Sequence, residues 1–318
     1  MKKRPLVILT VTIAILTVLV IGVSGFIGQQ VFLASTQLVT NEETKGISES
    51  FAEKYRMNYE VFFDEYKVEE LEIQSSFDDH MIPADYIYAK ESEHNKDSPT
   101  VILVHGMGDN RYSTYPWAQF FLENGYNVIT YDQRSSNANT AEHTTFGYWE
   151  KYDLIDWVHY FEEQAPGQKL GVWGASYGGA TAGLALGYQD IQEKIDFLIL
   201  DSPVSSMKWM VEEEMRNMDI SLPVSYITWW GNMINKLKLD FTYQDADVPT
   251  AMKEVKTSVL IINSKQDSLT PYFMGKDIYD AITGNNKEIW TVDDSEHLEI
   301  WIDYNQEYRD KLERFLTN

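Results

Sequence analysis

The sequence predicts an α/β fold, built on a mostly parallel, doubly wound β-sheet. Three observations lead to this prediction. From Thr100 onward, short apolar runs typical of buried strands alternate with helical segments, which is the pattern of a parallel sheet. Two strand patterns with alternating apolar and polar residues precede this region and predict an N-terminal antiparallel hairpin. One long segment without strand patterns, residues 205–255, interrupts the alternation and predicts a helical cap.

The chain begins with a basic cluster, residues 2–4, followed by a long uncharged segment with an apolar core, Leu6–Ile27. A helix needs about 20 apolar residues to cross a bilayer, whereas the apolar region of a cleaved signal peptide has about 7–15. We therefore predict that residues 1–28 form an uncleaved transmembrane signal anchor. Because basic flanks stay cytoplasmic, the rest of the chain is expected outside the membrane. The alternative is cleavage near Ala34, which would give a secreted protein.

Residues 29–66 are predicted to connect this anchor to the main domain. The connector begins with the polar stretch Thr36–Gly46. Aromatic residues then recur at near-helical spacing in Ile47–Tyr66, which predicts a stalk or packing helix. The hairpin strands follow at Val68–Ser75 and Met81–Ala89.

Residues 67–318 are predicted to form one α/β domain, with a charged loop at residues 91–98. The predicted parallel strands are Thr100–Val104, Asn127–Tyr131, Lys169–Trp173, Asp196–Leu200, Ser258–Ile262 and Lys287–Val292. The predicted helices are Tyr115–Asn124, Trp149–Gln164, Gly179–Tyr188, Tyr272–Thr283 and Asp303–Leu316.

The interrupting segment, residues 205–255, is rich in methionine and tryptophan. It stands between the strand that ends at Leu200 and the strand that begins at Ser258. This position suits a cap over an active site. Its large apolar side chains could line an apolar acyl pocket or form an ordinary core.

The composition excludes several classes of function. The chain has 26 basic and 49 acidic residues, a net charge of −23, and so lacks the basic face that nucleic acid requires. It has no cysteine, which excludes disulfides, a thiolate nucleophile and a metal held by cysteine. No spacing of histidines and carboxylates predicts a metal site, and no glycine-rich loop predicts a phosphate site. We expect no cofactor and a small-molecule substrate, while the oligomeric state stays open.

The most informative motif is Gly174-Ala175-Ser176-Tyr177-Gly178. A strand pattern ends just before it and a helical pattern follows, which is the context that a nucleophile elbow requires. In such an elbow a strained backbone presents the serine hydroxyl above the edge of the sheet. The motif therefore predicts that Ser176 is a nucleophile.

A serine hydroxyl needs a base to take its proton. Among the six histidines only His297 comes after Ser176, and it lies just after the last predicted strand. Asp267 follows the preceding strand and is predicted to orient His297 and to stabilise its imidazolium. Asp201, directly after an earlier strand, is the alternative acid.

An oxyanion hole needs backbone N–H groups aimed at the developing charge. We expect one from Tyr177, which follows the nucleophile. The second is expected from Met107, in the loop His105–Asn110 that follows the first parallel strand. His105 is expected to stabilise this loop by hydrogen bonding.

With these motifs in order, residues 68–318 resemble the α/β-hydrolase fold family. Residues 131–134, Tyr-Asp-Gln-Arg, and segments within residues 145–154 are similar to those of bacterial membrane-anchored hydrolases. Those proteins are in turn similar to serine aminopeptidase-like and cephalosporin-deacetylase-like esterases. The resemblance implies a triad of Ser176, Asp267 and His297, with oxyanion donors Met107 and Tyr177.

Two departures from the family pattern concern neighbouring loops. Residues 135–139 read Ser-Ser-Asn-Ala-Asn where relatives often have Gly-x-Gly-x-Ser, and Ser264 stands where they often have glycine. Neither departure removes a catalytic group. We expect a carboxylesterase that works through an acyl-enzyme, and Arg134 is expected to form a structural salt bridge. The alternatives are a peptidase or amidase with the same triad, and a non-catalytic surface binding protein.

Overall fold

The computed structural model describes residues 3–37, 40–90, 98–218 and 220–317. Its strands are β1 (Val68–Gln74), β2 (Met81–Ile87), β3 (Thr100–Val104), β4 (Asn127–Tyr131), β5 (Leu170–Ala175), β6 (Phe197–Asp201), β7 (Ser258–Ser264) and β8 (Lys287–Val292). Its helices are α1 (Lys3–Thr36), α2 (Asn41–Lys45), α3 (Ile47–Tyr55), α4 (Tyr59–Glu65), α5 (Tyr115–Glu123), α6 (Glu150–Gln164), α7 (Tyr177–Leu186), α8 (Gln189–Gln192), α9 (Met207–Asn217), α10 (Val224–Leu239), α11 (Val248–Ala251), α12 (Phe273–Ala281), α13 (Ile300–Asp303) and α14 (Asn305–Thr317). Residues 91–97 of the predicted charged loop lie outside the described residues.

The strands form one sheet of order β1-β2-β4-β3-β5-β6-β7-β8. β1 and β2 are the predicted antiparallel hairpin, and β2 is also antiparallel to β4. Every neighbouring pair from β4 to β8 is parallel, which confirms the predicted mostly parallel sheet. The carboxyl ends of the parallel strands therefore share one edge, where open α/β sheets bind their ligands.

The central strands are apolar because both faces of the sheet are covered, and β3 and β4 are buried at every position. β3, β4 and β8 have the predicted bounds, whereas β5 and β7 are longer than predicted. β5 continues to Ala175 because Ala175 pairs with Asp201 of β6. β7 continues to Ser264, which lies opposite Val292 of β8.

The prediction of a single helix over residues 47–66 is wrong, because the segment holds two helices, α3 and α4. Arg56 adopts a left-handed conformation with φ of 55° and ends α3. The side chain of Asn58 then accepts a backbone hydrogen bond and begins α4. The polar stretch before them also contains a helix, α2, which begins with a capping box between Thr40 and Glu43.

The connector helices pack on the sheet domain instead of forming an extended stalk. The ring of Tyr55 lies 4.9 Å from that of Trp117, and the ring of Phe62 lies 4.7 Å from that of Tyr115. Trp117 in turn lies 4.9 Å from Trp173 on β5, the strand that leads into the elbow. Aromatic pairs of this kind contribute about 0.5–1.5 kcal/mol beyond their buried area. The connector thus helps to hold β5 in place.

Helix α1 continues to Thr36, past residue 28, where the anchor was predicted to end. By length and composition it is apolar enough to cross a membrane. The large apolar side chains of its first part are exposed in the structure, from Leu6 to Val23.

The chain divides into two units. The first comprises Met1–Leu38 with Lys208–Asp245, and in it α1 packs against α10. The second comprises Val39–Met207 with Ala246–Asn318 and contains the sheet. The segment predicted as a cap, residues 205–255, contains the helices α9, α10 and α11. From Lys208 onward α9 belongs to the first unit, as does α10, whereas α11 belongs to the second.

Candidate active site

The turn between β5 and α7 has the geometry expected of a nucleophile elbow. Ser176, the one residue between the two elements, has φ of 53° and ψ of −114°. A positive φ is costly for a residue with a side chain and persists only where the surroundings enforce it. Here the amide of Ser176 donates to the carbonyl of Asp201, 2.8 Å away, and its carbonyl accepts from Gly179 and Val204. The neighbouring strand end thus fixes the strained serine.

Gly178 permits the close approach of α7 to the end of β3. A Cβ at position 178 would lie 2.1 Å from the carbonyl oxygen of Val104 and 2.5 Å from that of His105. Both atoms belong to the backbone and cannot move aside as the end of a flexible side chain can. The second glycine of the motif is therefore required by packing.

We predict that Gly178→Ala destabilises the protein by about 3 kcal/mol, because the added methyl group overpacks a backbone contact. Gly46→Ala is the matched control, since a Cβ there would meet nothing within 4 Å. Thermal unfolding of both variants measures the effect. Equal melting temperatures would contradict this account of the elbow.

Asp267 and His297 are brought together from the loops after β7 and β8. Nδ1 of His297 lies 2.8 Å from Oδ2 of Asp267. The hydroxyl of Thr270 donates to the same carboxylate oxygen at 2.8 Å and lies 3.1 Å from Nδ1 of His297. Although burial acts to raise it, the hydrogen bond and charge of His297 hold the pKa of Asp267 below its usual value. The carboxylate is therefore ionised at neutral pH and can fix the imidazole tautomer.

Thr270 is a contributor that the sequence reasoning missed. Besides its side-chain contacts, its amide donates to Oδ1 of Asp267 at 2.8 Å, and its hydroxyl lies 3.0 Å from the carbonyl of Ser202. A threonine three residues after an aspartate is not a recognisable motif by itself. Thr270 could therefore be identified from the sequence only after Asp267 had been assigned as the acid.

Asp201, the alternative acid, has other partners in the structure. Its Oδ2 accepts a hydrogen bond of 2.7 Å from the hydroxyl of Tyr308, and Ser202 lies 3.4 Å from its Oδ1. Burial raises the pKa of Asp201 to about 6. The contacts therefore favour Asp267 over Asp201 as the partner of His297.

The loop after β3 lies beside the elbow. A Cβ on Gly106 would be 3.8 Å from Cβ of Ser176. His105 is buried, with Nδ1 2.7 Å from the carbonyl of Gly106 and Nε2 2.9 Å from the amide of Gln133. These partners suit a neutral ring that carries its proton on Nδ1, and burial lowers the pKa of His105. His105 thus stabilises the loop that carries Met107.

Gln133 links three parts of the site, and the sequence reasoning assigned it no role. Its side-chain nitrogen donates to the carbonyl of His105, and its oxygen accepts from the hydroxyl of Thr181 at 2.7 Å. The loops after β3 and β4 are thereby joined to α7. The sequence feature that could have indicated this role is the position of Gln133, which follows Asp132 just after the buried strand β4.

Tyr177 is the first residue of α7, so its amide is among those left without a partner inside the helix. Its hydroxyl accepts a hydrogen bond of 3.1 Å from the amide of Thr145, and burial raises the pKa of Tyr177 well above its usual value. Glu150, also buried, accepts from the amides of Thr145 and Gly147. This network anchors the side chain of Tyr177 away from solvent. The backbone amides of Tyr177 and Met107 stay predicted oxyanion donors.

Arg134 forms the structural salt bridge that was expected of it. Its guanidinium is buried, lies 2.5 Å from Asp78 and 3.7 Å from Asp153, and stacks over the rings of Phe77 and Trp149. In the parts of the chain that the structure describes, no group of three or more histidines and carboxylates is placed to hold a metal ion.

Asp109 is a buried carboxyl beside the elbow. A Cβ on Gly106 would lie 2.8 Å from Oδ2 of Asp109. Gly106 is also the glycine that adjoins Ser176. Burial raises the pKa of Asp109 to about 7, although Lys54 acts in the opposite direction. The folded protein therefore retains a proton on Asp109 between about pH 4 and pH 7 that the unfolded chain loses. Stability is lost as the pH rises through this window.

We predict that Asp109→Asn raises the stability at pH 8 by on the order of 3 kcal/mol and changes it little at pH 4, because the amide cannot ionise. Melting temperatures at the two pH values measure this difference. Asp293→Asn serves as a control, since Asp293 is exposed and pairs with exposed Lys265. A stabilisation independent of pH would contradict the raised pKa.

A profile of the alpha/beta hydrolase fold family matches residues 99–258, just over half of the 318-residue chain. Among curated proteins, the uncharacterized protein YqkD of Bacillus subtilis is 26% identical over 242 residues, which cover 75% of this chain and 78% of YqkD. The lysophosphatidylserine lipase ABHD12 of Danio rerio is 25% identical over 223 residues, which cover 63% of this chain and 54% of the lipase. The chain thus matches about half the length of that lipase.

Solved structures share the fold at lower identity. The esterase Pf2001 of Pyrococcus furiosus has a TM-score of 0.63 at 21% identity, and the match covers 79% of this chain and 91% of the esterase. The esterase EaEST of Exiguobacterium antarcticum has a TM-score of 0.57 at 16% identity, with 79% and 100% covered. With esterases and a lipase among the similar proteins, the comparisons support hydrolase activity. The family profile and the shared fold show that the chain belongs to the α/β-hydrolase fold family.

Proposed function

We propose that this protein is a membrane-anchored serine hydrolase that cleaves carboxylic esters outside the membrane. The observation that carries the proposal is the pairing of His297 with Asp267 at 2.8 Å, at the sheet edge where the strained elbow presents Ser176. An activated serine needs a base that is itself oriented by a third group. These three residues supply the three roles.

In the proposed reaction, Oγ of Ser176 attacks the acyl carbonyl while Nε2 of His297 takes the hydroxyl proton. The imidazolium keeps its other proton on Nδ1, donated to Asp267. The proton that Nε2 took from Ser176 then passes to the leaving alcohol, and an acyl-enzyme remains. Water, deprotonated by His297, attacks this ester, and the acid leaves as Ser176 regains its proton.

The amides of Met107 and Tyr177 are proposed to bind the oxyanion. Tyr177 begins α7, where unpartnered N–H groups and the helix dipole favour negative charge. The loop of Met107 adjoins the elbow through Gly106. Losing one such donor typically reduces kcat by about 10²–10³-fold.

The similar proteins support an ester as the bond that is cleaved. Esterases Pf2001 and EaEST share the fold, and ABHD12 is a lysophosphatidylserine lipase, so each printed name denotes ester cleavage. We therefore propose an acyl ester as the substrate and regard amide cleavage as the alternative that the same triad could perform.

Helix α1 supports a location at the membrane. Its exposed apolar length fits a bilayer, and its basic flank, residues 2–4, favours a cytoplasmic N-terminus. The second unit would then lie outside the cytoplasm.

The full chain, purified in detergent, tests this proposal in two assays. A fluorophosphonate probe should label one site, Ser176, identified by peptide mapping. The second assay compares p-nitrophenyl esters of increasing chain length with the matched p-nitroanilides, and we expect faster turnover of the esters. Absence of labelling of folded protein would favour the binding-protein alternative, whereas faster cleavage of anilides would replace the esterase by an amidase.

A further inference from the structure

We infer that part of the first unit docks on the lipid surface of the membrane that α1 crosses. The docking face consists of four exposed apolar residues, Ile220, Leu222, Tyr226 and Trp229. The inference rests on the membrane anchoring proposed above and adds a second, peripheral contact between the protein and the bilayer.

Two contacts define the direction of α10 relative to α1. The hydroxyls of Ser24 and Tyr226 share a hydrogen bond. Gly28 lies against Trp230, since a Cβ there would be 2.6 Å from the Trp230 carbonyl oxygen. Because positions 24 and 28 meet positions 226 and 230, the two helices run in the same direction along their contact.

The length of the exposed part of α1 places this contact relative to the bilayer. The part of α1 that is exposed at every position, residues 6–23, would extend about 27 Å at 1.5 Å per residue, close to the roughly 30 Å of a hydrocarbon core. The contact with α10 begins at the next residue, Ser24, which is buried. Tyr226 therefore lies level with the outer boundary of the hydrocarbon, and the N-terminal end of α10 faces the bilayer.

The N-terminal end of α10 carries exposed apolar residues. Ile220 and Leu222 lead into the helix with 44% and 40% of their surface exposed, and Tyr226 and Trp229 in its first turns are 37% and 54% exposed. Exposed large apolar residues grouped in one place mark a contact surface in soluble proteins. Tryptophan and tyrosine in particular are enriched where protein meets the headgroup layer.

The docking face belongs to a segment without acidic residues. The chain carries 49 acidic residues, yet none lies between Ile220 and Leu239, where Lys236 and Lys238 are the charged residues. A chain with a net charge of −23 would be repelled by anionic lipid unless its contact region lacked acids. The segment therefore differs in charge from the rest of the protein, and its N-terminal end carries no acidic residue that anionic lipid would repel.

These observations favour lipid over a protein partner. The docking face adjoins the level at which α1 leaves the hydrocarbon, so the same bilayer that holds α1 lies within reach of it. Its residues combine apolar bodies with aromatic groups that have a polar edge, as interfacial anchors do.

The chain has no cysteine, so single cysteines can carry a unique nitrobenzoxadiazole fluorophore. Leu222→Cys and Trp229→Cys report on the docking face, Val18→Cys on the anchor, and Glu307→Cys, exposed on α14, on a site expected in water. The full chain is reconstituted in vesicles of phosphatidylcholine and phosphatidylglycerol. Emission is compared with that in detergent, then quenched by doxyl-labelled lipid or by iodide.

We expect emission from positions 222 and 229 to shift to the blue and to be quenched by doxyl lipid, as at position 18, while position 307 is quenched by iodide. Quenching by iodide at 222 and 229 with lipid quenching at 18 would overturn docking and leave the anchor intact. A blue shift without lipid quenching would mean a protein partner or second copy, which also overturns it. Iodide quenching at 18 would overturn the anchor and the inference together.

Discussion

Ser176→Ala is expected to reduce ester hydrolysis by about 10⁴–10⁶-fold, with only binding and oxyanion stabilisation left. The reason is that Ser176, whose backbone is held at φ of 53°, carries the one aliphatic hydroxyl among residues 174–178. The measurement is kcat/KM for a p-nitrophenyl ester, with fluorophosphonate labelling as a second readout. Labelling should be lost in the same variant.

Ser202→Ala is a matched control for this experiment. Ser202 also has a positive φ, 47°, is buried, and directly follows a neighbouring strand. Its substitution removes a buried hydroxyl from a strained strand end without touching the proposed nucleophile. A comparable loss of activity in both variants, or activity surviving Ser176→Ala, would refute the assignment of Ser176.

Asp267→Asn is expected to lower kcat by about 10⁴-fold, because an amide can hold His297 in the wrong tautomer. The carboxylate now accepts from Nδ1 of His297 and from Thr270. Steady-state kinetics across pH 6–9 measure the effect. The loss should appear in kcat, with a small change in KM, since the substitution leaves substrate contacts in place.

Asp201→Asn gives the comparison that separates the two candidate acids. Tyr308 can still donate to the amide oxygen at position 201, so the hydrogen bond of 2.7 Å has a replacement acceptor. We expect a loss of activity of less than about tenfold, as for a residue outside the reacting groups. A larger loss in Asp201→Asn than in Asp267→Asn would reverse the assignment.

The sequence allowed the fold to be predicted because its signals are local. Buried strands of a parallel sheet are short apolar runs, so β3, β4 and β8 could be bounded to the residue. The elbow is also local, since five consecutive residues carry its turn. The positions of Asp267 and His297 followed from topology, because the loops after β7 and β8 meet at one edge.

Other features depend on partners distant in the sequence and could not be predicted. Gln133 joins His105 to Thr181, positions that no spacing rule connects. The break at Arg56 depends on a left-handed residue that is not glycine, which lacks a clear sequence signal. The prediction ended α1 too early because Gln29 and Gln30 interrupt its apolar run, whereas Val31, in the next turn, packs against Gly231 of α10.

The contact between α1 and α10 has a consequence for how the protein is made. Ser24 and Tyr226 are 202 positions apart, so the ribosome delivers α1 long before its partner exists. During that interval the proposed anchor must wait in the membrane with the face of Ser24 and Gly28 uncovered. Proteolytic processing at Ala34 would separate that face from the mature chain and leave α10 without its helical partner. We therefore propose that the leader is retained, because assembly of α1 with α10 needs it as well as targeting.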